Sequence, residues 1–290
     1  MTESDVVVLR SAANPTIRRL VRLRDNRRRK QSGTFLVDGW RESARAGLAG
    51  FELRGLYAPL STVNAAHDLP AFLHSRGTVG DDLALAIGLY RKARAEGVLV
   101  GVQDDLISKF AYGQSSRGVV AELVAEQRGL DSLELNDRAF ILILDSIEKP
   151  GNVGAVFRCA DAAGVDAVIL TGQGCDMFNP NLIRGSLGAV FSLPWATATA
   201  DQTEAFLLKH GIRTLAARVE SSQDYWKTDL TRPLAIVLGN EARGLGPAWQ
   251  TLGDAPIAGV KIPMLGQSDS LNVSVSAALL AFEAARQNAV

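Results

Sequence analysis

Three short segments of this chain place polar side chains just after apolar, strand-like runs. In parallel α/β proteins that is where ligands bind, outside the carboxyl ends of the strands. The first segment is DSIEKPGNVGAVFRCADAAG, Asp145–Gly164. Pro150, Gly151 and Gly154 predict a tight turn into a helix, with Asn152 in the turn and Arg158 one turn into the helix, facing a cleft. Such turns often bind phosphate. There is no GxxxxGK[ST] and no GxGxxG, so neither a Walker loop nor the usual dinucleotide fingerprint is expected. The second segment, LGNEARGLG (Leu238–Gly246), leaves the apolar run LAIVL. Gly239, Gly244 and Gly246 free its backbone for close approach or positive φ. Glu241 either serves the chemistry or merely pairs with Arg243 or caps a turn. The third segment is KIPMLGQSDSLNVSVSAALLAFE, Lys261–Glu283. Ser270 is either functional or an N-cap worth on the order of 1 kcal/mol. Asn272, a poor residue inside a helix, is expected to have a polar task.

Other nucleophiles and bases are scarce. The histidines are His67, His74 and His210, and His210 stands at a helix end before Gly211, a favourable C-terminal position for a positive charge. Structural roles are expected for all three. Cys159 and Cys175 form neither a disulfide framework nor a CxxC zinc pattern, so no metal is expected. Trp195 and Trp249 are expected to pack rather than to stack on bases.

The elements that must hold the three segments alternate strand and helix. From Phe140, ILIL is a buried strand ending in Asp145. A helix over Val156–Ala163, a strand over Ala167–Leu170, helical turns over Leu182–Gly188 and a helix over Thr203–His210 follow. Strands are expected at Thr214–Ala217, Leu234–Leu238 and Val260–Ile262, then a last helix over Asn272–Gln287. Alternation with apolar strands predicts a parallel sheet covered on both faces. Upstream, a helix starts at Asn14–Pro15 with Ile17, Leu20, Val21 and Leu23 as its buried stripe. Strands are expected at Gly33–Gly39, Leu53–Ala58, Val98–Val102 and Gly118–Val124, with helices at Trp40–Ala49, Leu83–Ala95 and Asp105–Ala111. That pattern predicts a smaller α/β domain over residues 1–128, a polar linker over 129–138 and a second domain over 139–290.

The 290 residues suffice for two domains. No apolar run reaches the ~18 residues of a membrane span, and the amino terminus has no apolar signal core. A soluble, cytoplasmic protein is expected. Net charge is zero, but it is unevenly spread. Ile17–Lys30 holds eight basic residues against Asp25, so it carries +7 and the remainder −7. Phosphate backbones reward such clustering through counterion release, and Arg forks onto phosphate. Arg18, Arg22, Arg27, Arg28, Arg29 and Lys30 are the expected RNA contacts; the alternative is a solvated helix face.

PGNVGAVFRCADAAGVDAVIL, IVLGNEARGLG and IPMLGQSDSLNVSVSAALLAFE resemble, in order and spacing, the three motifs of the SpoU (TrmH-type) RNA methyltransferases of the SPOUT superfamily. The resemblance covers Phe140–Arg286, about half of the chain. RGSLGAVFSLPW is similar to the stretch between the first two motifs, and its Arg184 stands beside a flexible turn as a possible RNA contact or a plain surface arginine. GTFLVDGWRE and RGVVAEL resemble the ribosomal-protein-like substrate-binding domain that precedes many members, with Asp38 where glutamate is more usual. The resemblance implies a C-terminal parallel sheet threaded into a deep trefoil knot, a rare departure from ordinary topology. It implies a homodimer, and S-adenosylmethionine as methyl donor. By matching position, Gly239, Ile262 and Leu271 would contact the cofactor, with Leu238, Asn240 and Met264 in the same loops. Asn152, Arg158, Glu241, Ser270 and Asn272 match the functional polar residues.

The implied reaction is methyl transfer to a ribose 2′-hydroxyl of RNA, with ribosomal RNA preferred over transfer RNA by analogy of the first domain. Arg158 is the expected key side chain, as a positive charge rather than a base, because guanidinium stays protonated. Three rivals differ in class or target. A catalytically dead RNA-binding protein would not need all five polar positions filled. An ordinary Rossmann methyltransferase would carry its glycine-rich loop near its first strand. A self-protecting enzyme against a ribosome-targeting antibiotic would share the chemistry.

Overall fold

A computed structural model describes residues 6–112, 118–220, 222–240 and 243–289. The chain forms two compact units. One comprises Met1–Glu126 and Phe178–Ile183, the other Gln127–Met177 and Arg184–Val290.

In the first unit, β1 (Val7–Leu9), β2 (Thr34–Asp38), β3 (Leu53–Pro59), β4 (Leu99–Val102) and β5 (Val120–Val124) form one sheet in the order β1-β4-β3-β5-β2. The first three strands in that order run parallel, and β5 and β2 are antiparallel to their neighbours. The basic segment is two helices, not one. α1 (Pro15–Arg22) is capped by Asn14, and α2 (Asn26–Ser32) by Asp25, whose carboxylate accepts from the Arg28 amide. The sole acid of the segment therefore makes the break, a task short acids perform well. α3 (Trp40–Leu48), α4 (Leu60–Asn64), α5 (Leu69–Ser75), α6 (Gly80–Ala95) and α7 (Ile107–Phe110) complete the unit. β1, α4 and α5 had no counterpart among the expected elements; they are short or lack a clear period. Phe178 lies against Phe35 at a centroid distance of 4.4 Å, which explains why its segment belongs here.

A polar network crosses the first sheet. Glu122 on β5, only 3% exposed, is bridged by the Arg19 guanidinium, whose Nη2 lies 2.7 Å from Oε2. It also accepts from the Tyr57 hydroxyl (3.0 Å) and the Thr34 hydroxyl (3.1 Å). Burial alone would push the Glu122 carboxyl up, but the Arg19 guanidinium and the two hydroxyls override it and hold the group below the ordinary glutamate range.

Among the described residues the second unit has a seven-stranded, all-parallel sheet of β6 (Phe140–Asp145), β7 (Ala167–Thr171), β8 (Trp195–Thr197), β9 (Arg213–Ala217), β10 (Ser222–Asp224), β11 (Leu234–Leu238) and, beyond a separate antiparallel pair β12 (Thr251–Leu252) and β13 (Ala255–Pro256), β14 (Ala258–Lys261). The order is β10-β14-β9-β11-β6-β7-β8. All residues of β6, β7 and β11 are buried, as expected for strands covered on both faces. The unit's helices are α8 (Pro150–Ala162), α10 (Ala189–Ser192), α11 (Ala200–Lys209) and α12 (Val273–Asn288), while α9 (Pro180–Ser186) begins in the first unit's segment Phe178–Ile183 and ends in this one. α12 packs on α8. Residues 129–138, expected as a linker, contain a short 3₁₀ turn, and Leu133 is buried in this unit's core.

Among the described residues no helix is long and apolar enough to cross a membrane, and no cluster of His, Cys, Asp and Glu could hold a metal ion.

Candidate active site

The three polar segments all leave carboxyl ends of the parallel sheet, and hydrogen bonds tie them together. The chain leaves β6 through Ser146, held at φ +56°. Gly172, at φ +68°, makes room for it, since a Cβ there would stand 2.2 Å from Ser146 Oγ. The Ser146 carbonyl accepts from Asn240 Nδ2 at 3.0 Å, so the loop after β11 is fixed to the loop after β6. The Asn240 carbonyl accepts from the Gly244 amide at 2.8 Å and closes a tight turn. Gly239 must be glycine: its Cβ would lie 2.5 Å from the Gly244 carbonyl. Arg243 pairs with Glu148 at 3.4 Å on the surface.

α8 begins at Pro150, so the glycine-rich stretch is the first turn of the helix rather than a loop before it. Proline suits that position because its missing N–H would be unsatisfied anyway. Arg158 accordingly stands in the third turn of α8, not the first. It is exposed and has no hydrogen bond or ion pair among the described residues. Asn152, in the first turn, accepts from Asn272 Nδ2 at 3.2 Å. Asn272 is not inside α12 but is its N-cap, accepting from the Ser274 amide at 2.9 Å. The low helix propensity that marked Asn272 is thus explained by capping, and its amide nitrogen is left to join α8. Ser270 is exposed and does not cap the helix.

A cleft of about 560 Å³ opens over the ends of β9 and β11. Leu238, Gly239, Asn240, Ser270 and Leu271 line it. A smaller cavity of about 150 Å³ adjoins it, sharing Leu271 and residues Ala217–Val219, and is lined by Ile262 and Met264. All six residues expected at the cofactor therefore face these two adjoining spaces. Arg158 and Arg184 line neither; Arg184 is half-buried on α9. Glu241 lies outside the described residues.

Two contributions were not legible in the sequence. The turn after β9, Ala217–Glu220, forms one wall of the cleft, and no motif marks it. Trp249 lines the cleft while 2% exposed, and its indole Nε1 is buried without a hydrogen-bond partner among the described residues. It packs, as expected, but also presents an unused donor, and a buried donor costs free energy until it is paired.

In the basic segment, Arg18, Arg22, Arg27, Arg28 and Lys30 are exposed. Arg29 corrects the sequence expectation. It is 3% exposed, and its Nη1 donates to the carbonyls of Leu23 (2.8 Å) and Arg24 (2.7 Å). Those carbonyls follow α1 and need donors, so Arg29 serves the fold and not an external phosphate.

The sequence-family models agree with this architecture. Residues 139–282 match the SpoU rRNA Methylase family, and residues 14–121 match the MRM3-like substrate binding domain. A 23S rRNA (guanosine-2′-O-)-methyltransferase of Ralstonia nicotianae is 32% identical over 206 residues, covering 69% of this chain and 82% of that protein. A 23S rRNA (uridine(2479)-2′-O)-methyltransferase of Streptomyces viridochromogenes is 31% identical, covering 69% of this chain and 70% of that protein. Among solved structures, an RNA 2′-O ribose methyltransferase superposes with TM-score 0.75 at 34% identity, covering 97% of this chain and 99% of that one. The SpoU methyltransferase AviRb of Streptomyces viridochromogenes, in complex with AdoMet, superposes with TM-score 0.76 at 26% identity, covering 94% and 98%. With its two matched models, its polar loops gathered at one end of a parallel sheet and these relatives along most of its length, the chain belongs to the SpoU rRNA Methylase family.

Proposed function

We propose that this protein transfers the methyl group of S-adenosylmethionine to a ribose 2′-hydroxyl of ribosomal RNA. The observation that carries the proposal is the gathering of Leu238, Gly239, Asn240, Ile262, Met264 and Leu271 around two adjoining spaces at the carboxyl ends of β9, β11 and β14. The Ralstonia and Streptomyces sequence relatives named above act on 23S rRNA, and the AviRb structure holds AdoMet. The cleft fits such a molecule: apolar residues such as Leu238, Leu245, Leu271 and Val273 line it beside polar ones such as Asn240, Gln250 and Ser270.

Bound S-adenosylmethionine supplies a methyl group that is electrophilic because it sits on a sulfonium. The chain must align the ribose oxygen with it and help a proton leave. Alignment alone is worth up to about 7–11 kcal/mol. The backbone of Leu238–Asn240, with Ile262, Met264 and Leu271, holds the cofactor. Asn152, Asn272 and Ser270 position the ribose and its phosphate. Arg158 stays protonated and stabilises the developing alkoxide. Glu241 orients Arg158 or takes the proton. Arg18, Arg22, Arg27, Arg28, Lys30 and Arg184 meet the RNA backbone.

The same reading includes a homodimer working in the cytoplasm and a knotted C-terminal segment. Val275, Leu279 and Phe282 support the dimer: they form an exposed apolar stripe along one side of α12 that a second copy would cover. Light scattering at micromolar concentration should give twice the chain mass.

The test is transfer of labelled methyl to separated ribosomal and transfer RNA. Label should enter ribosomal RNA, and the modified linkage should resist alkali. Arg158→Ala should abolish transfer while cofactor binding persists. Turnover by that variant would remove Arg158 from the mechanism, and transfer to transfer RNA alone would change the substrate.

A further inference from the structure

The first unit contains a cavity of about 480 Å³ that the methyl-transfer chemistry does not use. Pro59 lines it at the end of β3, Ser61 and Thr62 just after that strand, and Asp104 just after β4. It thus lies outside the carboxyl ends of two parallel strands, the usual place for a ligand in such a sheet. Its volume is within the range of small-molecule sites.

The lining is specific. Trp40 is 6% exposed, yet its Nε1 has no hydrogen-bond partner among the described residues. Gly118, at φ +94°, leaves room for that nitrogen; a Cβ there would stand 3.0 Å from it. Thr62 is 3% exposed, and its hydroxyl is likewise unpartnered among the described residues. Both residues line the same cavity, where a polar ligand would pair the indole N–H and the hydroxyl. Asp104 Oδ1 accepts from the Ser61 amide at 3.1 Å, which leaves Oδ2 as an acceptor for a ligand N–H. Arg76 is exposed, and its guanidinium lies 5.2 Å from the Phe72 ring centroid, both residues lining the same cavity.

We propose that this cavity takes one unpaired nucleobase of the RNA, a base that carries an exocyclic amino group. The carboxylate of Asp104 disfavours a phosphate inside but suits an amino donor. Trp40 Nε1 and the Thr62 hydroxyl reach ring nitrogens or a carbonyl. Arg76 takes the phosphate of the same nucleotide at the surface, as guanidinium does well. Adenine, cytosine and guanine fit this pattern; uracil lacks the amino group. That the base belongs to RNA rests on the proposed function, whereas the chemistry of the cavity does not.

The test is binding of single-stranded RNA heptamers of A, C or U, and of free adenosine 5′-monophosphate, to the full chain. Asp104→Asn keeps the acceptor for Ser61 and replaces the free carboxylate oxygen by a donor. It should weaken A and C heptamers by roughly tenfold and leave U unchanged. Thr62→Val, similar in shape, should weaken A and C by about threefold. Both variants should keep the salt slope, because no phosphate contact is lost. Unchanged affinity in both, with wild-type melting temperatures, would overturn the site. An equal loss on U would overturn the choice of base, and adenosine monophosphate binding as tightly as the heptamer would overturn RNA as its source. Methyl transfer is read separately: a wild type that binds heptamers through Asp104 but methylates no RNA would sink the proposed function and leave the cavity standing.

Discussion

The two sheets of this protein hold ligand-sized spaces at the same end of their strands but build them differently. The seven-stranded sheet is stabilised by apolar strands, and its cleft is formed by backbone turns that only glycine allows at positions such as Gly239. The five-stranded sheet carries a buried polar network, Arg19–Glu122–Tyr57–Thr34, and its cavity is formed by side chains on short helices and turns. A turn closed at a glycine is sensitive to steric change. A cavity lined by side chains such as Asp104 is sensitive to charge, and its sheet also responds to pH.

The sharpest way to break this contrast is Gly239→Ala. The new Cβ would collide with the Gly244 carbonyl, so the turn must open. Cofactor affinity should fall by about a hundredfold or more, roughly 2.7 kcal/mol, while heptamer binding by the first unit stays unchanged. Calorimetric titration with S-adenosylmethionine reads the first, and near-wild-type affinity would show that the turn is soft.

Glu122→Gln should cost the first unit about 2 kcal/mol, because a charged partner of Arg19 is lost while shape is kept. The sign with pH follows from its lowered pKa. A carboxyl held below its unfolded value stabilises above the ordinary glutamate range and loses that stabilisation as pH falls through its folded pKa. Wild type should therefore lose more stability than the variant on going from neutral pH to below the ordinary glutamate range. Denaturant midpoints across that range decide it; parallel curves would mean that Glu122 contributes no linkage.

The smallest effect separates arginines that are neighbours in sequence. Arg27→Ala with Arg28→Ala should weaken RNA binding and lower the slope of log affinity against log salt by about 1.5–2, with unchanged stability. Arg29→Ala should do the reverse, lowering the melting temperature with little change in slope, because its guanidinium serves the Leu23 and Arg24 carbonyls. Equal slopes for all three would place the RNA elsewhere.

Much of this protein follows from its sequence. Strands such as LAIVL are uninterrupted apolar runs with β-branched centres, and β11 spans Leu234–Leu238 as their pattern predicts. The three polar segments, and their likeness to SpoU methyltransferases, are local patterns fixed by glycine, proline and short polar residues. Tertiary structure decided what depends on neighbours far along the chain. Arg29 reads like Arg28 in composition, and only the carbonyls left open after α1 draw it inward. Asn272 reads as a functional amide, and its place just before α12 makes it a cap that also reaches Asn152. The turn after β9 and the Trp249 indole carry no motif, because their contribution is a position in space beside β11. The cavity beside Trp40 and Asp104 brings together residues about sixty positions apart. Local propensity cannot encode that meeting, since it depends on β3 and β4 lying side by side in one sheet.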